Sequence, residues 1–368
     1  MARASKKYRA LICALLLISL CGFSGGLREV SGVSQAGPAD FRYEGLSRAQ
    51  FPTLVGNWLK QGKYQAFTHT AAPAFPIPAL AEGYVPQGLC YSEALGCFAL
   101  TYYYPDGARP SLLALVDAAT GERVKSLYLL KPGGTPYTGH AGGAAAWGEH
   151  IWVTSDHRAW RLAAEDLRRA RDYSAVCFRD SFKPGTGGGI AFCAGDTLWI
   201  GESYSPGKGS KVPLDRWDPS TGNMAWCAGF PLDESEPRGV AGLGRGSTAA
   251  PAYVLSLPDY AQGGCVSPTG ELLLSTSHSI TLSWLLICPN LEGLLAQPPA
   301  YTIAIAKKAC PLWVIDGGKA RRQVMAPMSE GICELDGKIY VLFESAALKY
   351  RESAELYADY VFALPPPR

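Results

Sequence analysis

Acidic, imidazole, amide and phenol side chains recur at the ends of short apolar segments in this 368-residue chain. Gln87, His140, Gln262 and Glu330 each stand one or two residues before a glycine that opens an apolar segment. A second set follows the next apolar segment in each case: Tyr103 and Tyr104, Asp156 and His157, Glu202 and Tyr204, Ser277 and His278, Glu344 and Lys349. Carboxylates and imidazoles can exchange protons or accept hydrogen bonds, and tyrosine faces can stack on a sugar or aromatic ring. No compact motif fixes the chemistry. KPGTGGG (183–189) lacks the Gly-Lys-Ser/Thr ending of a phosphate loop, and neither G-x-S-x-G nor H-E-x-x-H occurs. There is no C-x-x-C and no His/Cys spacing suited to zinc. Any site must therefore arise by convergence of distant residues, which makes it a question of fold.

The elements that could bring them together form a repeat. QGLC (87–90), AGGA (141–144), GGGIA (187–191), QGGC (262–265) and EGIC (330–333) each lead, after a turn, to a second apolar strand. Those second strands centre on Phe98-Ala99-Leu100, Ile151-Trp152-Val153, Leu198-Trp199-Ile200, Leu272-Leu273-Leu274 and Ile339-Tyr340-Val341. Third strands with Asp-rich turns are read at 112–122, 215–223 and 312–320, and fourth strands at 123–130, 253–258 and 322–327. Four short antiparallel strands per unit is the pattern of a propeller blade, and blades bury their faces only by stacking in a ring. The expected fold is an all-β β-propeller of five four-stranded blades, with six allowed by the spacing and a two-sheet sandwich as the competing architecture. The last unit lacks an outer strand, which residues 66–80 are expected to supply, closing the ring. Extra material at 204–250 and 289–310 reads as loop insertions. In such a ring the two sets of polar residues rim one mouth of the channel.

Composition bounds the rest. The chain is 48% hydrophobic and 18% charged, rich in Gly (41) and Pro (27) as many turns require. Residues 1–24 read as an export signal, with Arg3, Lys6, Lys7 and Arg9 before an apolar run from Ala10 to Phe23. Leu20 before Cys21 argues against a lipoprotein signal. Removal of that segment changes the formal charge from +2 to −2, which gives no electrostatic footprint for nucleic acid or an anionic membrane. The chain is thus expected to be secreted or extracytoplasmic, an uncleaved anchor being the alternative, without stable membrane insertion and as a monomer. Residues 25–65 are expected to form an extension with a short helix over 51–63, and 66–368 the propeller. Cys90, Cys265 and Cys333 share one repeat position, as small buried residues would. A Cys90–Cys97 bridge across their hairpin is the disulfide that spacing suggests.

YVPQGLCYS (84–92), YTGHAGGAA (137–145), YVLSLPDYAQGG (253–264) and the stretch 326–351 together resemble a family of exported bacterial propeller proteins without an established activity. More distantly they are similar to propellers of the YVTN, NHL and gluconolactonase types. The resemblance covers 84–365 and implies a fold more than a function. It also suggests a metal reading, because Glu330 in EGI is similar to the EGP start where gluconolactonase-type propellers hold a divalent cation. Glu202, with Asp156 and His140 or His278, would complete a set suited to Ca²⁺ or a transition metal. The asparagine ligands of that family have no counterparts, since Asn57, Asn223 and Asn290 are the only asparagines. The leading expectation is therefore a propeller that binds a small molecule, glycan or peptide at the mouth. A metal-dependent, lactonase-like hydrolase and a protein-interaction platform built on the insertions are the alternatives.

Overall fold

The computed structural model describes residues 62–206, 216–278, 280, 282–354 and 356–367. The export signal read over 1–24 and nearly all of the helix expected over 51–63 lie outside them. The first described elements are a 3₁₀ turn, Gly62–Tyr64, and a helix α1, Gln65–Thr70, followed by strand β1, Ala72–Pro76. Blade I consists of β2 (Val85–Ser92), β3 (Cys97–Tyr103), β4 (Leu112–Asp117) and β5 (Arg123–Leu130). Blade II contains β6 (Gly143–Trp147), β7 (His150–Ser155) and β8 (Arg158–Ala163). A short β9 (Ala175–Cys177) then runs parallel to β5 on blade I, and β10 (Asp180–Phe182) completes blade II. Blade III is β11 (Ile190–Ala194), β12 (Thr197–Glu202), β13 (Ala225–Pro231) and β14 (Tyr253–Leu257).

Blade IV begins with β15 (Ala261–Val266), β16 (Glu271–Ser277) and β17 (Ser283–Asn290). The chain then leaves it for a hairpin, β18 (Tyr301–Ile305) and β19 (Lys308–Val314), before returning with β20 (Arg321–Met325). Strand β19 pairs in parallel with β14, so the hairpin widens blade III rather than blade IV. Blade V is β21 (Ser329–Leu335), β22 (Lys338–Phe343) and β23 (Tyr360–Leu364), with β1 as its outer strand through the pairs Ala72↔Ala363 and Pro76↔Tyr360. Pro73 and Pro76 are tolerated there because an edge strand has no outer ladder to feed. The N-terminal strand thus closes a ring of five blades, as the sequence pattern predicts, and the blade count is settled at five among the described residues.

The burial pattern explains why the strands read as apolar runs. A blade packs against a neighbour on each face, so the second strand β3 is buried along its whole length instead of alternating. Innermost strands β2, β6, β11, β15 and β21 touch in order around the axis, and β21 meets β2. Their contact is made by backbone. A Cβ added to Gly263 would lie 2.7 Å from the Glu330 carbonyl oxygen, and one on Gly331 would lie 2.3 Å from the Leu89 nitrogen. Buried hydroxyls on the second strands reinforce the joints. Thr101 Oγ1 accepts from Gly88 N–H (3.0 Å) and donates to Ala141 O (2.7 Å), Thr154 donates to Gly188 O (2.8 Å), and Ser275 to Glu330 O (2.5 Å).

Three expectations need correction. The segment 312–320 is not a third strand of its own blade but ends the inserted hairpin on blade III. The segment 215–223 precedes the third strand β13, with Asp218 folding its turn by accepting from Ser220 and Thr221. The Cys90–Cys97 bridge is absent and both thiols are free, because Cys97 pairs in register with Ser92 while Cys90 faces Ala99. Among the described residues no helix is long and apolar enough to cross a membrane.

If inner-strand backbone contact holds the ring, Gly331→Ala lowers stability by about 1–3 kcal/mol through overpacking at an immobile neighbour. Gly189→Ala, where an added Cβ meets nothing within 4 Å, serves as the control and stays near wild type. Urea midpoints of the two variants check this.

Candidate functional site

The mouth is assembled where blades V, I and II meet. Glu330 enters at the top of β21, 5% exposed, its carbonyl held by Ser275. Glu344 follows β22, its backbone N–H bonded to Met328 O at 3.0 Å. This places the two carboxyl groups side by side, and they share a hydrogen bond. Gln87, 3% exposed, donates from Nε2 to Glu344 Oε2 at 2.9 Å and to Pro86 O at 2.7 Å. Burial, with the neighbouring Glu344 second, pushes the Glu330 carboxyl well above the usual carboxylate range. Two carboxylates this close cannot both ionise cheaply in a dry site, so the pair holds a proton above the usual carboxylate range.

A second layer lies beside it. The Tyr103 hydroxyl accepts from Lys349 Nζ at 2.8 Å and meets the Tyr350 hydroxyl at 3.2 Å. Burial first, then Tyr350 and the two glutamates, keeps the Tyr103 phenol protonated far beyond its ordinary range. Its ring stacks on His140 with centroids 4.3 Å apart. His140 keeps an exposed edge, yet the crowding of its ring lowers its pKa; Asp156 opposes that shift and Lys349 adds to it. Asp156 in turn accepts from Ser155 Oγ at 2.9 Å. Lys349 and Tyr350 belong to the irregular excursion between β22 and β23. Tyr350 was missed by sequence reasoning because it follows no strand end; its adjacency to Lys349 was the available signal.

The predicted residues therefore divide. Gln87, Tyr103, His140, Asp156, Glu330 and Glu344 gather on one side of the mouth. Glu202, half-buried, accepts from Gly187 N–H at 3.0 Å. Gln262 is half-buried on β15. His278 is exposed, its ring 4.6 Å from that of Tyr260, in a cleft between blades III and IV. Tyr104 packs on Tyr84 with centroids 5.3 Å apart and beneath the Arg109 guanidinium, while His157 bonds Thr186 O.

The donor set for a divalent cation does not fit. Among the described residues no three His, Cys, Asp or Glu side chains converge with ligand geometry. Glu330 is engaged with Glu344, and Glu202 with a backbone amide. At the opposite end of the channel, a recess of about 270 Å³ is lined by Cys90, Cys193, Cys265 and Cys333. Burial pushes the Cys90 thiol up to about 12 and raises the other three as well, so these are thiols and not nucleophilic thiolates.

No protein-family model and no curated protein sequence matches the chain. Among solved structures it is similar to the glutaminyl cyclase of Myxococcus xanthus, at 12% identity and TM-score 0.40, over 81% of this chain and 95% of that one. It is also similar to the PQQ-bound aldose sugar dehydrogenase of Streptomyces coelicolor, at 15% identity and TM-score 0.42, over 80% of this chain and 95% of that one. A putative glucose dehydrogenase of Thermus thermophilus aligns at 12% identity and TM-score 0.35, over 80% and 98%. Likenesses of this degree carry nothing about substrate or cofactor.

The carboxyl pair has a pH signature. A folded pKa raised above the unfolded value of about 4.3 means stability that is complete below that value and lost as pH rises through the folded pKa. Wild-type stability should therefore fall with rising pH above the free-carboxylate range, and Glu330→Gln, which mimics the protonated form, should remove that component. Urea midpoints measured across the acid-to-neutral range report it.

Proposed function

We propose that this propeller binds a small polar ligand at the blade V–I–II side of its channel mouth. The ligand is a small molecule, glycan or peptide end that presents a hydrogen-bond donor to the Glu330–Glu344 pair. What supports the reading is the pair itself: two carboxyl groups drawn together under the mouth, holding one proton, and fixed by Gln87. Burying such a pair costs folding stability, and a role in recognition gives that cost a reason. Lys349 and Tyr350 stand beside it with donors for an acceptor atom on the same ligand, and the exposed edge of His140 borders the opening.

An ammonium group arriving at the pair takes the place of the shared proton, whereas a neutral hydroxyl bonds to the pair with the proton still in place. An amine ligand would therefore bind with proton release and more tightly as pH rises, as long as the amine stays protonated. Calorimetric titration of the full chain with glucosamine, glucose and glycylglycine tests this. Glucosamine or glycylglycine is expected to bind more tightly at about pH 7.5 than at about pH 6, with a proton release visible as a dependence on buffer ionisation enthalpy. Glu344→Gln should weaken that binding roughly tenfold and remove the proton release. Absence of binding by all three probes, or binding indifferent to Glu344→Gln, would overturn the reading.

A further inference from the structure

We infer a second binding site, independent of the channel mouth, in the cleft between blades III and IV, suited to a neutral saccharide. The cleft has a volume of about 550 Å³, within the range of small-molecule sites. Residues of β17 there look onto the loop residues Thr221, Gly222 and Asn223 and onto Asp316, Gly317 and Gly318. Trp284 and Leu286 alternate along β17 and, with Leu282 just before the strand, form an apolar floor. Trp284 is half-buried there.

The wall opposite carries Tyr260 and His278, with ring centroids 4.6 Å apart. Tyr260 has φ +67°, a left-handed conformation that an aromatic residue rarely adopts. It is fixed on both sides, its N–H donating to Tyr204 O (2.8 Å) and its carbonyl accepting from Ser277 N–H (3.0 Å). Backbone strain retained at a cleft is a recurrent mark of function. The rim is polar and planar. Arg322 uses one nitrogen on Gly317 O at 3.0 Å, leaving the rest of its fork to the cleft. Asp316 and Asp259 face it, the first paired with Lys319 and the second bonded to Met224 N–H and Ala225 N–H.

An apolar aromatic floor under a rim of planar donors and acceptors matches a pyranose, which offers a C–H face for stacking and equatorial hydroxyls for forked hydrogen bonds. In the lining Arg322 stands against Asp316 and Asp259, a net formal charge of −1 with His278 neutral, which favours a neutral sugar over a uronic acid. The site does not rest on the reading of the mouth, and the two can fail separately.

Titration of the full chain with maltose, cellobiose and lactose, followed by tryptophan fluorescence, tests the assignment, with galacturonic acid as the charged comparison. At least one neutral disaccharide is expected to bind and perturb the fluorescence. Trp284→Ala and Arg322→Ala should each weaken it roughly tenfold, and Trp284→Phe should restore part of the loss. Glu344→Gln at the mouth should leave this binding unchanged. Arg322→Ala, at an exposed residue, keeps the test decisive should Trp284→Ala fold poorly. The assignment is overturned if none of the disaccharides binds, if galacturonic acid binds in preference, or if binding survives both cleft variants or follows Glu344→Gln.

Discussion

Everything at the mouth depends on how closely the innermost strands approach one another about the axis. Blade IV meets blade V, and blade V meets blade I, with main chain against main chain. Gly263 lies under the Glu330 carbonyl and Gly331 under the Leu89 amide at distances no side chain could share. A methyl group at either position would push two blades apart, and in a closed ring that displacement has nowhere to go. The buried hydroxyls of Thr101, Thr154 and Ser275 then satisfy backbone groups that the tight joints would otherwise strand. Blade III has Gly201 opposite Ile190, so its joint lacks this bond.

That geometry explains why a costly carboxyl pair persists. Ser275 fixes the peptide of Glu330, and Glu330 and Glu344 come from the start and end of one hairpin, which leaves them little freedom to separate. The neighbouring blade supplies Gln87, and the excursion after β22 supplies Lys349 and Tyr350. Each member is held by a different element, so the arrangement is preorganised before any ligand arrives. The thiol-lined opposite end contrasts with it: there burial serves packing, and the protonated thiols offer little chemistry.

Much of this was legible in the residues. The glycine-led segments, the apolar second strands and the closing role of 66–80 all followed from local period and turn chemistry. The inner hairpin of blade V reads correctly because its turn, LDGK, joins two contiguous apolar strands. Blade IV does not, since its third and fourth strands are separated by a hairpin that pairs with another blade. Nothing local marks Tyr301–Val314 as belonging to a neighbour, because parallel pairing with β14 is decided by contacts over fifty residues away in sequence. The Cys90–Cys97 expectation failed on register alone, where a two-residue offset turns a plausible bridge into two separate thiols.

The glycine-led inner hairpins, ring closure and the polar character of strand ends were determined by the sequence itself, because each rests on alternation, turn residues and glycine placement within some tens of residues. Which of those polar ends meet was decided only by tertiary structure. Glu330, Glu344, Gln87 and Tyr103 converge while Glu202 and His278 stand apart, since angular position around the axis is set by how each blade packs on the next. The physical reason is that a ring fixes distances through the sum of all its joints, and no single segment of the chain carries that sum.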